Sequence, residues 1–148
     1  MMEDTTYATR ADIENLYTAE LVTQLVQRDE DADEDALVGD ALTQATSEIN
    51  SYLSVRYVTP LATPPAFIIR SCIDIAVYIL AQPHHLMTEE ITERYKRAIA
   101  HLKDIADHKA NVAGAALMGE GAADDDGSDN VLFEGDERLF TRGTMGDL

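Results

Sequence analysis

The sequence predicts an all-α protein, a small helical bundle of four to five helices with an extended, flexible C-terminal arm. Three observations point there. Apolar residues recur at helical spacing in long segments. Residues that cap helices stand just ahead of those segments, at Thr9, Thr18 and Thr88. Beyond residue 112 the chain turns to glycine, alanine and aspartate, which do not build a core. A chain of 148 residues is long enough for one domain with a modest core. The expected division is a helical domain over 1–112, an acidic flexible linker over 113–130 and a docking arm over 131–148.

Taken in order, Thr9-Arg-Ala-Asp12 has the logic of a capping box with aspartate in the last place, and Ile13 and Leu16 follow as the apolar side of a short helix. Thr18 caps a second, in which Leu21, Val22 and Leu25 are spaced for one face. These read as two short helices, or one bent one, docking on a larger bundle. The acidic run Asp29 to Asp35 then meets the N-terminus of a long helix, where negative charge interacts favourably with the helix dipole. Its stripe from Ala36 onward, through Leu37, Ala41, Ala45, Ile49, Tyr52, Leu53 and Tyr57 and widened by Val38 and Leu42, spans about five turns. Gly39, Ala41 and Ala45 are small enough for a neighbouring helix to approach closely.

Pro60, Pro64 and Pro65 end that helix and hold an extended connector, because a residue before proline is pushed out of the helical region. Ala66 to Leu80 is apolar over most of its circumference and is the expected central helix, with Cys72 a buried small hydrophobe and Arg70 and Asp74 spaced to pair across a turn. After a turn at Gln82-Pro-His-His, Thr88 caps a last helix reaching about Asp107. Its stripe is Ile91, Tyr95, Ala98, Ile99, Leu102, Ile105 and Ala106, and Glu93 and Arg97 form a support pair.

The charge balance excludes one class of function. With 28 acidic and 11 basic residues the net charge is -17, and such a surface repels a DNA backbone rather than reading it. Scarce lysine (only Lys96, Lys103 and Lys109) with abundant aspartate fits adaptation to high salt, where screening makes the charge tolerable, and equally an ordinary acidic protein. A lone cysteine forms no internal disulfide and suits a reducing compartment. MMEDTTYATR has no apolar run and does not read as a signal peptide, and no segment is apolar for long enough to cross a bilayer.

Catalytic and metal chemistry finds little support. His84 and His85 lie near Glu89 and Glu90, but two adjacent turn histidines usually face solvent. Asp29-x-Asp31-x-Asp33 opens like a calcium loop yet has Glu34 where the turn needs glycine, and Asp124 to Asp129 fails similarly. Ser71 and Cys72 sit in an apolar helix with no histidine nearby in sequence. No glycine-rich phosphate loop is present. The expectation is no enzyme, no metal and no cofactor.

The segments YATRADIENLY, ALTQATSEINSYLSVRYVTPL, CIDIAVYIL, ERYKRAIAHLKDIA and RLFTRGTMGDL, in this order, resemble the Mu-like prophage neck proteins, the small head–tail joining or head completion proteins of tailed phages. The resemblance covers nearly the whole chain outside its acidic segments. It implies a structural adaptor in the virion neck, assembled in the host cytoplasm, that forms a ring of twelve subunits beneath the portal protein. Such a ring connects the portal to the next neck or tail-completion protein and lets double-stranded DNA pass without sequence-specific binding. It also implies that the C-terminal arm docks on a partner, which assigns partner binding to Arg138, Phe140, Arg142 and Met145. Arg56 and Tyr57, at the exit of the long helix, are expected to make a bond within the fold, the guanidinium taking a carboxylate or carbonyl, or else a subunit contact. The competing expectation is a non-phage helical interaction module with a binding tail.

Overall fold

The computed structural model describes residues 5–27 and 33–119. Among these residues five α-helices follow one another: α1 Arg10–Leu16, α2 Ala19–Val26, α3 Glu34–Leu53, α4 Ala66–Ala81 and α5 Glu89–Ala106, with a 3₁₀ turn, Gln82–His84, between the last two. α4 is the hub. It packs on α3 and α5 along its length and touches α1 and α2 as well, and Ser71 to Val77 form an unbroken buried run. A helix apolar on nearly every side has to be enclosed in this way.

The helix starts follow from local chemistry. Thr9 and Asp12 complete a capping box on α1, each side chain serving the other's backbone. Thr18 accepts from the Leu21 N–H and begins α2, so the apolar segment is two helices with a break at Tyr17 and Thr18. Asp33 accepts from the N–H groups of Asp35 and Ala36, which starts α3 one turn earlier than its apolar stripe does. Arg10 on α1 reaches the carboxylates of Glu34 and Asp35 there, tying the N-terminal helices to the start of α3.

α3 ends at Leu53, a turn short of Tyr57. Tyr57 is still buried, but on a turn after the helix rather than on its stripe. The connector contains a cis Thr59–Pro60 peptide. Tyr7 crosses beneath it, its hydroxyl accepting from the Leu61 N–H at 2.9 Å and donating to Asn50 Oδ1. The buried Thr46 hydroxyl accepts from the Tyr7 N–H and lies 3.6 Å from the Cys72 sulfur, so this polar group inside the α3–α4 contact is satisfied.

Three expected details fall out differently. Ala41 and Ala45 are buried, whereas Gly39 is exposed with open space where a side chain would stand. Asp74 does not pair with Arg70. It is buried, with Tyr17 Oη donating to it at 2.8 Å and Arg94 of α5 lying 3.9 Å away, while Arg70 one turn earlier on the same face is exposed. Glu93 pairs with Lys96 three residues on, at 3.1 Å, rather than with Arg97. Helical spacing allowed both expected pairs, but tertiary packing gave Asp74 other partners and Glu93 took a nearer neighbour on its own helix. Tyr78 of α4 and Tyr95 of α5 stack with centroids 3.9 Å apart, and Tyr95 Oη donates to Glu48 of α3 at 3.2 Å, joining the three long helices at one point.

Candidate functional site

The candidate site grows from the end of α3. Past Leu53 the chain turns, the N–H groups of Arg56 and Tyr57 both returning to the Leu53 carbonyl. That turn sends the Tyr57 ring inward and lays the Arg56 guanidinium across the C-terminal end of α5. Arg56 Nη1 donates to the carbonyls of Ile105 at 2.9 Å and Ala110 at 2.8 Å, and Nη2 donates to Asn111 Oδ1 at 2.9 Å. The last carbonyls of a helix lack intrahelical donors and carry the negative end of its dipole, so a fixed cation answers both needs. The guanidinium carbon also lies 5.2 Å from the Tyr57 ring centre.

The chain leaving α5 is then stitched to this turn. His108 takes a left-handed conformation, φ 63°, which reverses the chain after Asp107. Val112 is buried and its N–H donates to Tyr57 Oη at 3.0 Å. The Val58 N–H donates to the Ala116 carbonyl at 2.9 Å, the Met118 N–H to the Arg56 carbonyl at 2.7 Å, and Tyr57 and Leu117 form an antiparallel bridge. Residues 113–119, which composition places in the linker, are therefore held on the helical body as far as Met118.

The stitch carries an exposed apolar surface. Among the described residues the large hydrophobic side chains most open to solvent are Val55 (62 %), Val58 (53 %), Leu117 (37 %) and Met118 (59 %), and all four belong to the two strands of chain joined here. A hollow of about 170 Å³ beside them is lined by Val58, Pro60, Leu61, Thr63, Gly114 and Ala115. Scattered exposed hydrophobes mean little, but a group of them on adjoining segments is a candidate contact surface.

Of the residues singled out from sequence, Arg56 and Tyr57 come together here, Arg56 with its bonding groups turned to carbonyls of the same chain. Arg138, Phe140, Arg142 and Met145 lie outside the described residues, as does most of the acidic run before α3. Val55, Val58, Leu117 and Met118 were not singled out. The signal was present, since Leu117-Met118 is the one large apolar pair inside the glycine- and alanine-rich stretch.

Among the described residues no three His, Cys, Asp or Glu side chains are grouped to hold a metal. Ser71 and Cys72 are buried in α4, and burial pushes the Cys72 thiol above its ordinary range, which disfavours the reactive thiolate. No helix among the described residues is long and apolar enough to cross a membrane.

Comparison with known proteins gives consistent matches. A family model described as "Bacteriophage Mu, Gp36" matches residues 7–128. Gene product J of Escherichia phage Mu is 31 % identical over 145 residues, which is 95 % of this chain and 97 % of that protein. The Mu-like prophage FluMu protein gp36 of Haemophilus influenzae is 34 % identical over 121 residues, covering 81 % of this chain and 79 % of the relative.

Proposed function

The chain belongs to the Bacteriophage Mu Gp36 family, and from that premise we propose that it is a structural neck protein joining the capsid portal to the tail as a ring around the DNA channel. Membership of a phage family replaces the reading as a non-phage interaction module. The observation that carries the proposal is the apolar patch of Val55, Val58, Leu117 and Met118. Leu117 and Met118 immediately precede the segment that carries the C-terminal arm, so a partner that takes up the arm is placed to meet the patch as well. Two attachments at one place strengthen each other, because the second forms at high effective concentration.

The remaining properties agree. Ring closure asks each subunit for two different neighbour surfaces. A net charge of -17 gives a channel wall that DNA phosphates do not adhere to. The partners on this reading are the portal protein, the next neck or tail-completion protein and further copies of the chain, with the arm residues Arg138, Phe140, Arg142 and Met145 contributing to docking.

The test is the double substitution V58D/M118D, with binding to the portal measured by sedimentation. Both side chains face solvent, so helicity should be unchanged while portal binding weakens at least tenfold. A variant that docks as tightly as the unaltered chain rejects the patch as the contact.

A further inference from the structure

A second surface lies away from this end, in the groove between α4 and α5. Phe67, Arg70, Ser71 and Asp74 stand at i, i+3, i+4 and i+7 on α4, and Arg94, Arg97, Ala98 and His101 repeat that spacing on α5. Together they line a groove of about 250 Å³. Phe67 and His101 meet edge to face at one end, centroids 4.9 Å apart.

Three of the chain's eight arginines converge there, in a protein with more than twice as many acidic as basic residues. Arg94 is held by Glu90 at 2.7 Å and lies over the Tyr17 ring, yet its Nη1 is sealed from solvent with no hydrogen-bond acceptor, Asp74 being 3.9 Å away. Arg70 and Arg97 have no carboxylate partner among the described residues, although Arg10, Lys96 and Lys109 all have one. Guanidinium groups displayed beside an aromatic wall suit an incoming carboxylate followed by an apolar side chain.

We propose that this groove binds the acidic segment of a second copy of the same chain, residues 120–137, which carries Asp124, Asp125, Asp126, Glu134 and Asp136 around Phe133. Copies bearing -17 each repel one another, so a contact between them needs a cationic surface. Arg70 and Arg97 provide one, and the chain itself supplies the complementary acid. The inference rests on one part of the neck reading, that copies of this chain meet.

The experiment titrates a synthetic peptide of residues 120–137 onto the full-length, isotope-labelled protein, following His101 and the arginine side chains by NMR at low and high salt. R70Q/R97Q and a peptide with its acids replaced by amides are run in parallel. The groove signals should move with the acidic peptide, and affinity should fall at least tenfold for R70Q/R97Q, for the amide peptide and on adding salt. Self-association of the full chain should weaken by a similar factor in R70Q/R97Q, its helicity unchanged. Peptide binding that ignores the two arginines overturns the proposal. So does a groove occupied at every protein dilution, which would assign it to the chain's own arm, and so does a preference for short duplex DNA over the peptide. The two readings separate cleanly. A bound peptide without a ring on the portal removes the neck reading and keeps the groove, while an R70Q/R97Q ring as stable as the unaltered one does the reverse.

Discussion

Arg56 shows how one side chain fixes where another segment goes. Its guanidinium replaces donors that α5 lacks at its end and holds Asn111, so the chain is led back to Tyr57 and Val58. Arg56→Met keeps the aliphatic stem but removes the donor to the Ala110 carbonyl and leaves the Ile105 carbonyl with backbone N–H groups alone. We expect a loss of about 2 kcal/mol, from the ~1.5–3 kcal/mol typical of hydrogen bonds to charged groups, and faster amide exchange at Val58 and Met118. Denaturant melts and hydrogen exchange read both, and unchanged exchange there would show that the stitch does not depend on Arg56. His108 is the converse case, a residue with a side chain in the left-handed region. That conformation costs about 1–2 kcal/mol without glycine, while glycine loses roughly 0.4–1 kcal/mol through its freer unfolded chain. His108→Gly should therefore stabilise by about 0.5 kcal/mol in a denaturant melt. Sequence made Arg56 conspicuous as a cation between aromatics. It could not name Ile105 and Ala110 as partners, because those carbonyls are ordinary backbone until α5 ends beside the arginine. Asp74 teaches the same lesson. Helical spacing offered it Arg70 in its own helix, and only packing brings Tyr17 and Arg94 to it.

At the scale of elements, most of the architecture was legible, because caps and apolar spacing act locally. Thr9, Thr18 and Thr88 start α1, α2 and α5 where their hydroxyls allow, and α4 is central because it is apolar over most of its circumference. The two ends of α3 were less legible. Its start is set by Asp33, inside an acidic run that looks like a charged prelude, and its finish by a turn that keeps Tyr57 apolar in pattern but not helical. Gly39 lies inside this helix, exposed, with nothing near the position of a side chain. Gly39→Ala should stabilise by about 0.5–1 kcal/mol, the usual difference in a helix interior. A thermal melt checks it, and a destabilised variant would mean that something approaches the helix there. The apolar patch escaped notice for a related reason. Leu117 and Met118 lie in a stretch whose composition reads as linker, and their exposure follows from two backbone hydrogen bonds that composition does not encode.

For the whole molecule, charge and tyrosine protonation set the conditions of stability. Burial, then the neighbouring Glu48, push Tyr95 up from 10.0 to about 12, and burial with Asp74 raises Tyr17 also. The folded protein thus holds these protons more tightly than the unfolded chain does. Their contribution is complete below pH 10 and is lost as pH rises towards 12. Stability should fall over that window, less steeply in Tyr95→Phe, and urea melts between pH 9 and 12 measure it. Added salt should stabilise the chain by screening its self-repulsion. The same acidity frames the central claim, that this helical body with its exposed apolar patch is a ring-forming adaptor. Native mass measurement and negative-stain imaging of the purified chain, alone and with its portal at low and high salt, test that claim most directly. A ring, free or formed on the portal, is the expected result. A monomer that ignores the portal at every salt concentration would contradict it.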